Sequence, residues 1–337
     1  SIVLFTVIAT LGGIATLPFM EGEFLPELKE GHFIVHMAAV PGTSLAESMR
    51  IGHNMTKDLL ELPIVKTVAQ RAGRAEKADD TYGTQYSEID VELKPLDENA
   101  ASHAQSDIRK AMALFPGVST SVKTFLVERI EETLSGYTAS VVVNVYGKNL
   151  NNLDEKAQEI AKILSHISGA AEVQVQSPPG MPQLLVKLRK DALTKWGFDA
   201  VQVLDAVRTA FQGDIVGQIY DGNRVFDVNV ILDPMSRRSI LDVGSLPLRN
   251  ATGTYIRLNQ LADIQEKPGR YVILHDGARR VQTVTCNVSG RDVGSFVAEA
   301  KKQIATKVSL PVGSYVEFGG TAEAQARTMH DLLMHSA

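Results

Sequence analysis

The order in which hydrophobic periods of two and of 3.6 residues alternate constrains the fold of this chain more than any other feature. Strands place side chains alternately on two faces, whereas helices repeat a face every three to four residues, so the two periods distinguish these elements. The pattern predicts, in order, strand Phe33–Val40, helix Ser44–Leu62, strands Ile64–Ala72 and Tyr86–Leu93, helix Ala100–Leu114 and strand Val118–Val127. This βαββαβ order is the split pattern of ferredoxin-like domains.

A second unit of the same kind follows, and a long insertion interrupts it. The parts before and after the insertion are predicted as strand Ser140–Tyr146, helix Leu150–Ser168 and strand Ala171–Gln176, then strand Arg280–Val288, helix Asp292–Val308 and strand Ser314–Gly319. The inserted unit, Met181–Arg270, starts in a proline-rich segment and contains a hairpin turn at Asp221–Asn223. The predicted fold class is therefore α+β, with two ferredoxin-like units and an α+β unit inserted in the second.

The first twenty residues, Ser1–Met20, contain no charged side chain. At about 1.5 Å per residue, a helix of this length spans roughly 30 Å, the hydrocarbon thickness of a bilayer. The run lacks the initial methionine and the basic residues of a signal peptide, so we expect the end of a transmembrane helix in a piece of a longer chain. Glu21 and Glu23 follow without lysine or arginine, which favours the non-cytoplasmic side. A buried core helix is the alternative.

Composition and motifs exclude several classes of protein. An apolar fraction of 44% and a charged fraction of 22% are typical of globular chains. The net charge of −5 argues against a nucleic-acid partner, because phosphate binding needs concentrated lysine and arginine. The single cysteine, Cys286, excludes an internal disulfide and a multi-cysteine zinc site. The sequence lacks Gly-x-Ser-x-Gly, His-Glu-x-x-His, P-loop and dinucleotide-binding motifs, so we do not expect an enzyme.

Six segments of the chain carry a resemblance to a known family. They are Gly22–Pro26, Pro41–Leu45, Pro116–Val118, Val141–Gly147, Asp191–Phe198 and Ile219–Val225. In this order they resemble the second large periplasmic loop of heavy-metal efflux transporters of the resistance-nodulation-division (RND) superfamily. His36, five residues before Pro41, also resembles the histidine that the cobalt–zinc–cadmium branch places in this strand. The resemblance covers essentially the whole chain.

The resemblance implies a division into subdomains. Residues 1–20 would be the end of the seventh transmembrane helix, and residues 321–337 would start the helix that leads to the next membrane span. Residues 21–137 would form porter subdomain PC1, and residues 138–180 with 271–320 would form porter subdomain PC2. The docking subdomain, DC, would comprise residues 181–270, inserted in PC2.

The resemblance also implies where and with which partners the protein works. Such transporters are homotrimers of the bacterial inner membrane, and loops of this kind lie mostly in the periplasm. They export metal ions with the energy of the proton gradient, together with a periplasmic adaptor (a membrane fusion protein) and an outer-membrane channel. The metal ion is cargo, so we expect no resident cofactor.

Residue types at the family's metal positions favour a divalent cargo. The copper and silver branch lines its porter cleft with methionine thioethers, because soft sulfur suits Cu(I) and Ag(I). The matching positions here are His36, Tyr86 and Glu88, with the third methionine position near Glu131 or Glu132. Imidazole and carboxylate groups suit Zn(II), Co(II), Cd(II) or Ni(II) instead.

We therefore expect a metal site in the cleft between PC1 and PC2, with His36, Glu88, Asp90 and Glu132 as ligands. Strand alternation puts Glu88 and Asp90 on one face. The alternative for each residue is structural: a hydrogen-bonded strand histidine for His36, and solvated surface carboxylates for the other three.

Three other functions are compatible with parts of the sequence. A multidrug transporter of the same superfamily needs an aromatic-lined pocket, but aromatic residues make up only 6% of the chain and form no dense cluster in the sequence. A metal-independent interaction module is the second possibility, in which the inserted unit docks partners or neighbouring protomers through its hairpin at Asp221–Asn223. A periplasmic hydrolase is the third, and the missing motifs disfavour it.

Overall fold

We describe the protein from a computed structural model, for residues 30–74, 82–321 and 323–324. The predicted membrane segment, residues 1–20, and nearly all of the predicted last helix lie outside this range. Within it, no helix is long and apolar enough to cross a membrane. The chain divides into two compact units, the first comprising Ser1–Pro179 and Tyr271–Ala337 and the second Gly180–Arg270. Each unit is mixed α/β, and each is described by itself.

The first unit begins with a four-stranded antiparallel sheet in the strand order β2-β3-β1-β4. Its elements are β1 (His32–Ala38), α1 (Leu45–Glu61), β2 (Val65–Ala72), β3 (Tyr86–Leu93), α2 (Glu98–Met112) and β4 (Ser119–Thr124). This order of helices and strands agrees with the predicted βαββαβ pattern. The helix start was also predicted correctly, since the Ser44 side chain accepts a hydrogen bond from the Glu47 amide.

One face of this sheet packs in an apolar core, and the opposite, polar face carries most of the polar side chains together with the buried Ile34. Phe33, Val35 and Met37 of β1 are buried in a core that also contains Met55 of α1 and Ile108 of α2. Because side chains alternate along a strand, the intervening residues of β1 point to the opposite face. That opposite face includes the candidate metal ligand at position 36.

A third helix, α3 (Phe125–Ser135), covers part of the polar face, and the sequence prediction missed it. The predicted strand Val118–Val127 was wrong beyond Thr124, where β4 ends and α3 begins. The apolar run at positions 125–127 fits a strand as well as a helix, because short apolar runs are ambiguous. The helix ends at Gly136, which is in the left-handed region at φ 72°.

The second sheet of the first unit has the order β13-β14-β5-β15, and β6 also pairs with β14. Its elements are β5 (Val141–Tyr146), α4 (Leu150–Ser165), β6 (Ala170–Val175), β13 (His275–Asp276), β14 (Arg279–Val288), α9 (Val293–Lys307) and β15 (Tyr315–Gly319). The core under this sheet includes Val143, Leu153, Ile160, Val284 and Phe296. Periodicity predicted each of these elements except the short β13.

The second unit has its own small core, formed by residues such as Leu193, Val203, Leu258 and Leu261. Its elements are β7 (Met181–Leu188), α5 (Lys190–Trp196), α6 (Ala200–Phe211), β8 (Asp214–Asp221), β9 (Arg224–Val230), a 3₁₀ turn (Pro234–Arg237), α7 (Ile240–Gly244), β10 (Pro247–Arg249), β11 (Tyr255–Arg257), α8 (Leu258–Leu261) and β12 (Ala262–Gly269). Strand β7 pairs with β12, β8 with β9, and β10 with β11. The predicted hairpin is present, and Gly222 supplies the positive φ of 58° that its two-residue turn requires.

Candidate functional site

A small polar cleft lies within the first unit, where the two sheets approach each other. It is lined by His36, Tyr82, Tyr86, Ser121, Glu132, Gly136, Tyr137, Thr138, Ala139, Glu172, Gln174, Gln176, Thr285 and Asn287. These residues come from β1, β3, β4 and the segment before β3, from α3 and the segment after it, and from β6, the residue after it and β14. The lining offers imidazole, carboxylate, hydroxyl and amide groups.

His36 is a buried polar group of this lining. Its side chain is on the polar face of β1, and only 6% of the residue is exposed. Nε2 is 2.9 Å from Oε2 of Glu128 on α3, and Nδ1 is hydrogen-bonded to the hydroxyl of Tyr86 on β3. The Tyr86 ring stacks on Tyr82, with a distance of 4.0 Å between ring centroids. Both imidazole nitrogens therefore have partners.

A second buried pair lies next to the first on the same helix. The ammonium of Lys123 on β4 is paired with the carboxylate of Glu131, which is one helical turn from Glu128. Burial lowers the pKa of Lys123, and the negative charges of Glu131, Glu172 and Glu128 oppose that shift. The two pairs attach α3 to the polar face of the sheet, because each joins a strand residue to a helix residue.

Glu172 joins the second sheet to the first. It has a positive φ of 53°, unusual for a residue with a side chain, at an irregularity in the pairing of β6 with β14. Its carboxylate accepts hydrogen bonds from Ser121 at 2.9 Å and Asn287 at 2.5 Å, and it is 3.2 Å from the Arg109 guanidinium. Residues of both sheets thus meet at this carboxylate on the wall of the cleft.

The predicted ligands do not come together as one cluster. Glu88 pairs in register with His36, but its carboxylate is 2.8 Å from Arg71. Asp90 lies 3.5 Å from the same guanidinium and 3.4 Å from the His32 ring. An ion pair with a guanidinium satisfies a carboxylate without a metal.

Glu132 is at the cleft, but it is exposed and pairs with Arg129 at 2.8 Å. Of the four predicted ligands, His36 and Glu132 line the cleft, and Glu88 and Asp90 lie beside Arg71 on the same sheet face. Among the residues that the structure describes, no group of three or more His, Cys, Asp or Glu side chains has the spacing of a formed metal site.

Sequence reasoning missed three residues of this site: Lys123, Glu128 and Glu172. A helical interpretation of positions 125–135 would have indicated Glu128 and Glu131, because an i, i+3 spacing puts two carboxylates on one helix face. Lys123 and Glu172 carry no such signal, since their partners lie 8 to 115 residues away in the chain.

Comparison with known proteins identifies the family of this chain. The model of the AcrB/AcrD/AcrF family matches residues 1–337. The crystal structure of a heavy-metal efflux pump superposes with a TM-score of 0.88 and 26% identity, covering 98% of this chain and 35% of that chain. The chain belongs to the AcrB/AcrD/AcrF family.

Three individual proteins show which members of this family the chain resembles. The cobalt-zinc-cadmium resistance protein CzcA of Cupriavidus metallidurans is 32% identical over 321 residues, which are 92% of this chain and 30% of CzcA. The nickel and cobalt resistance protein CnrA of the same organism is 34% identical over 326 residues, or 91% of this chain and 30% of CnrA. The cation efflux system protein CusA of Escherichia coli is 26% identical over 314 residues, or 92% of this chain and 30% of CusA.

The chain thus spans about 30% of the length of these curated relatives. The resemblance to heavy-metal efflux transporters of the RND superfamily, and to their cobalt–zinc–cadmium branch, is confirmed. These relatives are transporters, which agrees with the expectation from the missing enzyme motifs.

Proposed function

We propose that this chain is the periplasmic part of a proton-driven RND efflux transporter that exports divalent heavy-metal cations. The names of its relatives CzcA and CnrA support cobalt, zinc, cadmium and nickel as the cargo class. In this proposal the first sheet is the ferredoxin-like porter subdomain PC1, the second sheet is PC2, and the inserted unit is the docking subdomain DC. The transporter is a homotrimer of the inner membrane that works with a periplasmic adaptor and an outer-membrane channel.

The donor chemistry of the cleft is the observation that carries the metal proposal. Among its described lining residues, the groups able to bind a cation are an imidazole, two carboxylates, hydroxyls and amides, with neither thioether nor thiolate. Nitrogen and oxygen donors suit Zn(II), Co(II), Ni(II) and Cd(II), whereas Cu(I) and Ag(I) prefer sulfur. Cu(I) and Ag(I) are therefore poorer candidates for the cargo.

A cation in this cleft would meet few ligands, which suits transport. His36 and Glu132 are the two predicted ligands on the lining, and Glu172 is a third group within the same cleft. Each already has a protein partner, so a cation must compete with existing hydrogen bonds and ion pairs. Competition of this kind lowers affinity, and a transporter has to release what it binds.

Calorimetric titration of the 337-residue chain with Zn(II) tests the proposal. We expect binding by the unmodified chain, weaker binding by His36→Ala and unchanged binding by His53→Ala, an exposed histidine on α1 that serves as the control. Ag(I) should bind more weakly than Zn(II). Equal affinity in His36→Ala and the unmodified chain, or the absence of binding by the unmodified chain, would contradict the metal proposal.

The hairpin β8–β9 supports assembly into oligomers. Apolar side chains are exposed on both of its faces, including Ile219 (59%), Tyr220 (71%), Val225 (54%) and Phe226 (49%). A two-stranded hairpin exposed on both sides is marginally stable in water, and exposed apolar surface of this kind marks an interaction site. We assign it to contacts with a neighbouring protomer. Phe226→Ser should reduce self-association in sedimentation experiments, and unchanged association would contradict this assignment.

A further inference from the structure

We propose that Glu128 is a positioning residue that holds the His36 imidazole as the Nε2–H tautomer, so that Nδ1 is the nitrogen that binds the cation. The Tyr86 hydroxyl is then the group that the cation displaces. This inference rests on the proposed function, because it concerns the same cleft, and it adds the ligating atom and two residues that act on it.

The hydrogen-bond geometry assigns the tautomer. An ionised carboxylate can only accept hydrogen bonds, so the 2.9 Å contact between Glu128 and Nε2 requires the proton on the ring nitrogen. In the neutral ring Nδ1 then carries the lone pair, and it accepts from the Tyr86 hydroxyl. The two contacts are consistent with each other only in this arrangement when the ring is neutral and Glu128 is ionised.

The positions of the two partners relative to the cleft give the direction of binding. Tyr86 lines the cleft together with His36, and Tyr82 stacks on it there. Glu128, a residue of α3, lies on the other side of the imidazole and is only 2% exposed. A cation that enters the cleft therefore meets the Tyr86 side of the ring, where Nδ1 is.

A histidine that binds a metal commonly donates its other ring N–H to a carboxylate. Histidines that bind metals nearly always donate their other N–H to a carboxylate, a carbonyl or a water, which fixes the ring orientation and raises the basicity of the ligating nitrogen. Glu128 occupies that position before any cation is present.

The Tyr86 hydroxyl lowers the affinity that this support would otherwise give. A zinc ion lies about 2.0–2.1 Å from a histidine nitrogen, and the lone pair that binds it cannot at the same time accept a hydrogen bond. Each binding event therefore breaks the Tyr86–His36 hydrogen bond, and each release restores it. The hydroxyl thus favours release of the cation.

The first test uses the metal-free chain, so it does not depend on the proposed function. Nitrogen-15 correlation spectra of the imidazole at about pH 8.5 should give a protonated Nε2 and an unprotonated Nδ1 for His36. Glu128→Gln should give a mixture of tautomers, because an amide can both donate and accept. A proton on Nδ1 in the unmodified chain would overturn the inference while leaving the proposed function intact.

The second test adds metal. Cadmium-113 should couple to Nδ1 of His36 and not to Nε2. Zn(II) affinity should fall about 10–100-fold in Glu128→Gln, as for other supporting carboxylates. It should rise about 2–12-fold in Tyr86→Phe, the value of one net hydrogen bond.

Structural damage would weaken binding in both variants, so the opposite signs separate the proposed roles from misfolding. Glu155→Gln, an exposed glutamate on α4, is the matched control and should bind as the unmodified chain does. Coupling to Nε2, unchanged affinity in Glu128→Gln or weaker binding in Tyr86→Phe would overturn the inference. Failure of the unmodified chain to bind Cd(II) at all would instead overturn the proposed function.

Discussion

The buried pair Lys123–Glu131 gives the sharpest test of how α3 is held on the sheet. Both residues are nearly inaccessible, with 5% and 4% of their surfaces exposed. Lys123→Met keeps much of the apolar stem but removes the charge and leaves the Glu131 carboxylate buried without its counter-ion. Breaking a buried pair in this way costs about 3–5 kcal/mol of unfolding free energy.

The surroundings of Lys123 put the expected loss at the upper end of that range. Its ammonium is attracted by Glu172 and Glu128 as well as by Glu131, so the substitution removes a positive charge that interacts with all three carboxylates. A domain is stable by about 5–15 kcal/mol in total, so a loss of this size should be evident in urea denaturation followed by circular dichroism.

Two further variants make the result interpretable. Lys66→Met removes an exposed ion pair, in which Lys66 lies 2.7 Å from Glu92 and the two side chains are 54% and 50% exposed. This substitution should cost less than about 1 kcal/mol of unfolding free energy. The double variant Lys123→Met/Glu131→Leu replaces both charges by apolar groups, and it should recover most of the lost stability. A loss below about 1 kcal/mol in Lys123→Met, or a double variant no more stable than the single one, would refute the reasoning.

Lys123 also makes the folding stability depend on pH. Because burial lowers its pKa in the folded state, the unfolded chain binds the proton more readily at any pH between that lowered value and 10.5. Its contribution to stability therefore rises with pH across this window. The pH dependence of unfolding should lose this rise in Lys123→Met, and the difference between the two chains isolates the lysine from other titrating groups.

Two further predictions concern other parts of the first unit. Ala278 has a φ of 62°, so Ala278→Gly should raise stability by about 0.5–1 kcal/mol in thermal unfolding. The control Ala113→Gly, at a residue with a φ of −65°, should lower stability. Equal effects of the two substitutions would contradict the strain argument. Burial and the nearby Asp276 carboxylate raise the pKa of Tyr146, so the folded state retains this proton above pH 10 and loses stability as the pH rises further. Tyr146→Phe should reduce that alkaline loss, and an unchanged pH profile would exclude this tyrosine as its source.

Much of the fold could be predicted because the periodicity is strong and local. The strands at Tyr86–Leu93 and Arg279–Val288 and the hairpin turn at Gly222 were all indicated by residues within a few positions of one another. Helix α3 could not be predicted in this way. Its first turn begins with the short apolar run Phe125–Val127, which fits a strand as well as a helix. The carboxylates that mark its buried face are recognisable only once their strand partners are known.

The sequence predicted which face of the sheet carries the candidate site, but it did not predict the contacts of the side chains there. Alternation along β3 correctly puts Glu88 and Asp90 on the polar side of the sheet with His36. Their ion-pair partner is Arg71, which the pairing of β2 with β3 brings beside them. A pairing of this kind joins residues about twenty positions apart, and no local pattern in the sequence shows it.

The polar face therefore has two parts with different chemistry. At the β2–β3 side, Arg71 neutralises the carboxylates, and the strand pair needs no cation there. At the β1–β4 side, α3 covers the sheet and supplies its own carboxylates, one to Lys123 and one to His36. Glu131 forms an ion pair with Lys123, whereas Glu128 contacts Nε2 of His36, a residue that also lines the cleft. We propose this side of the face for the cation, because the carboxylates at the β2–β3 side already pair with Arg71, and Glu131 pairs with Lys123.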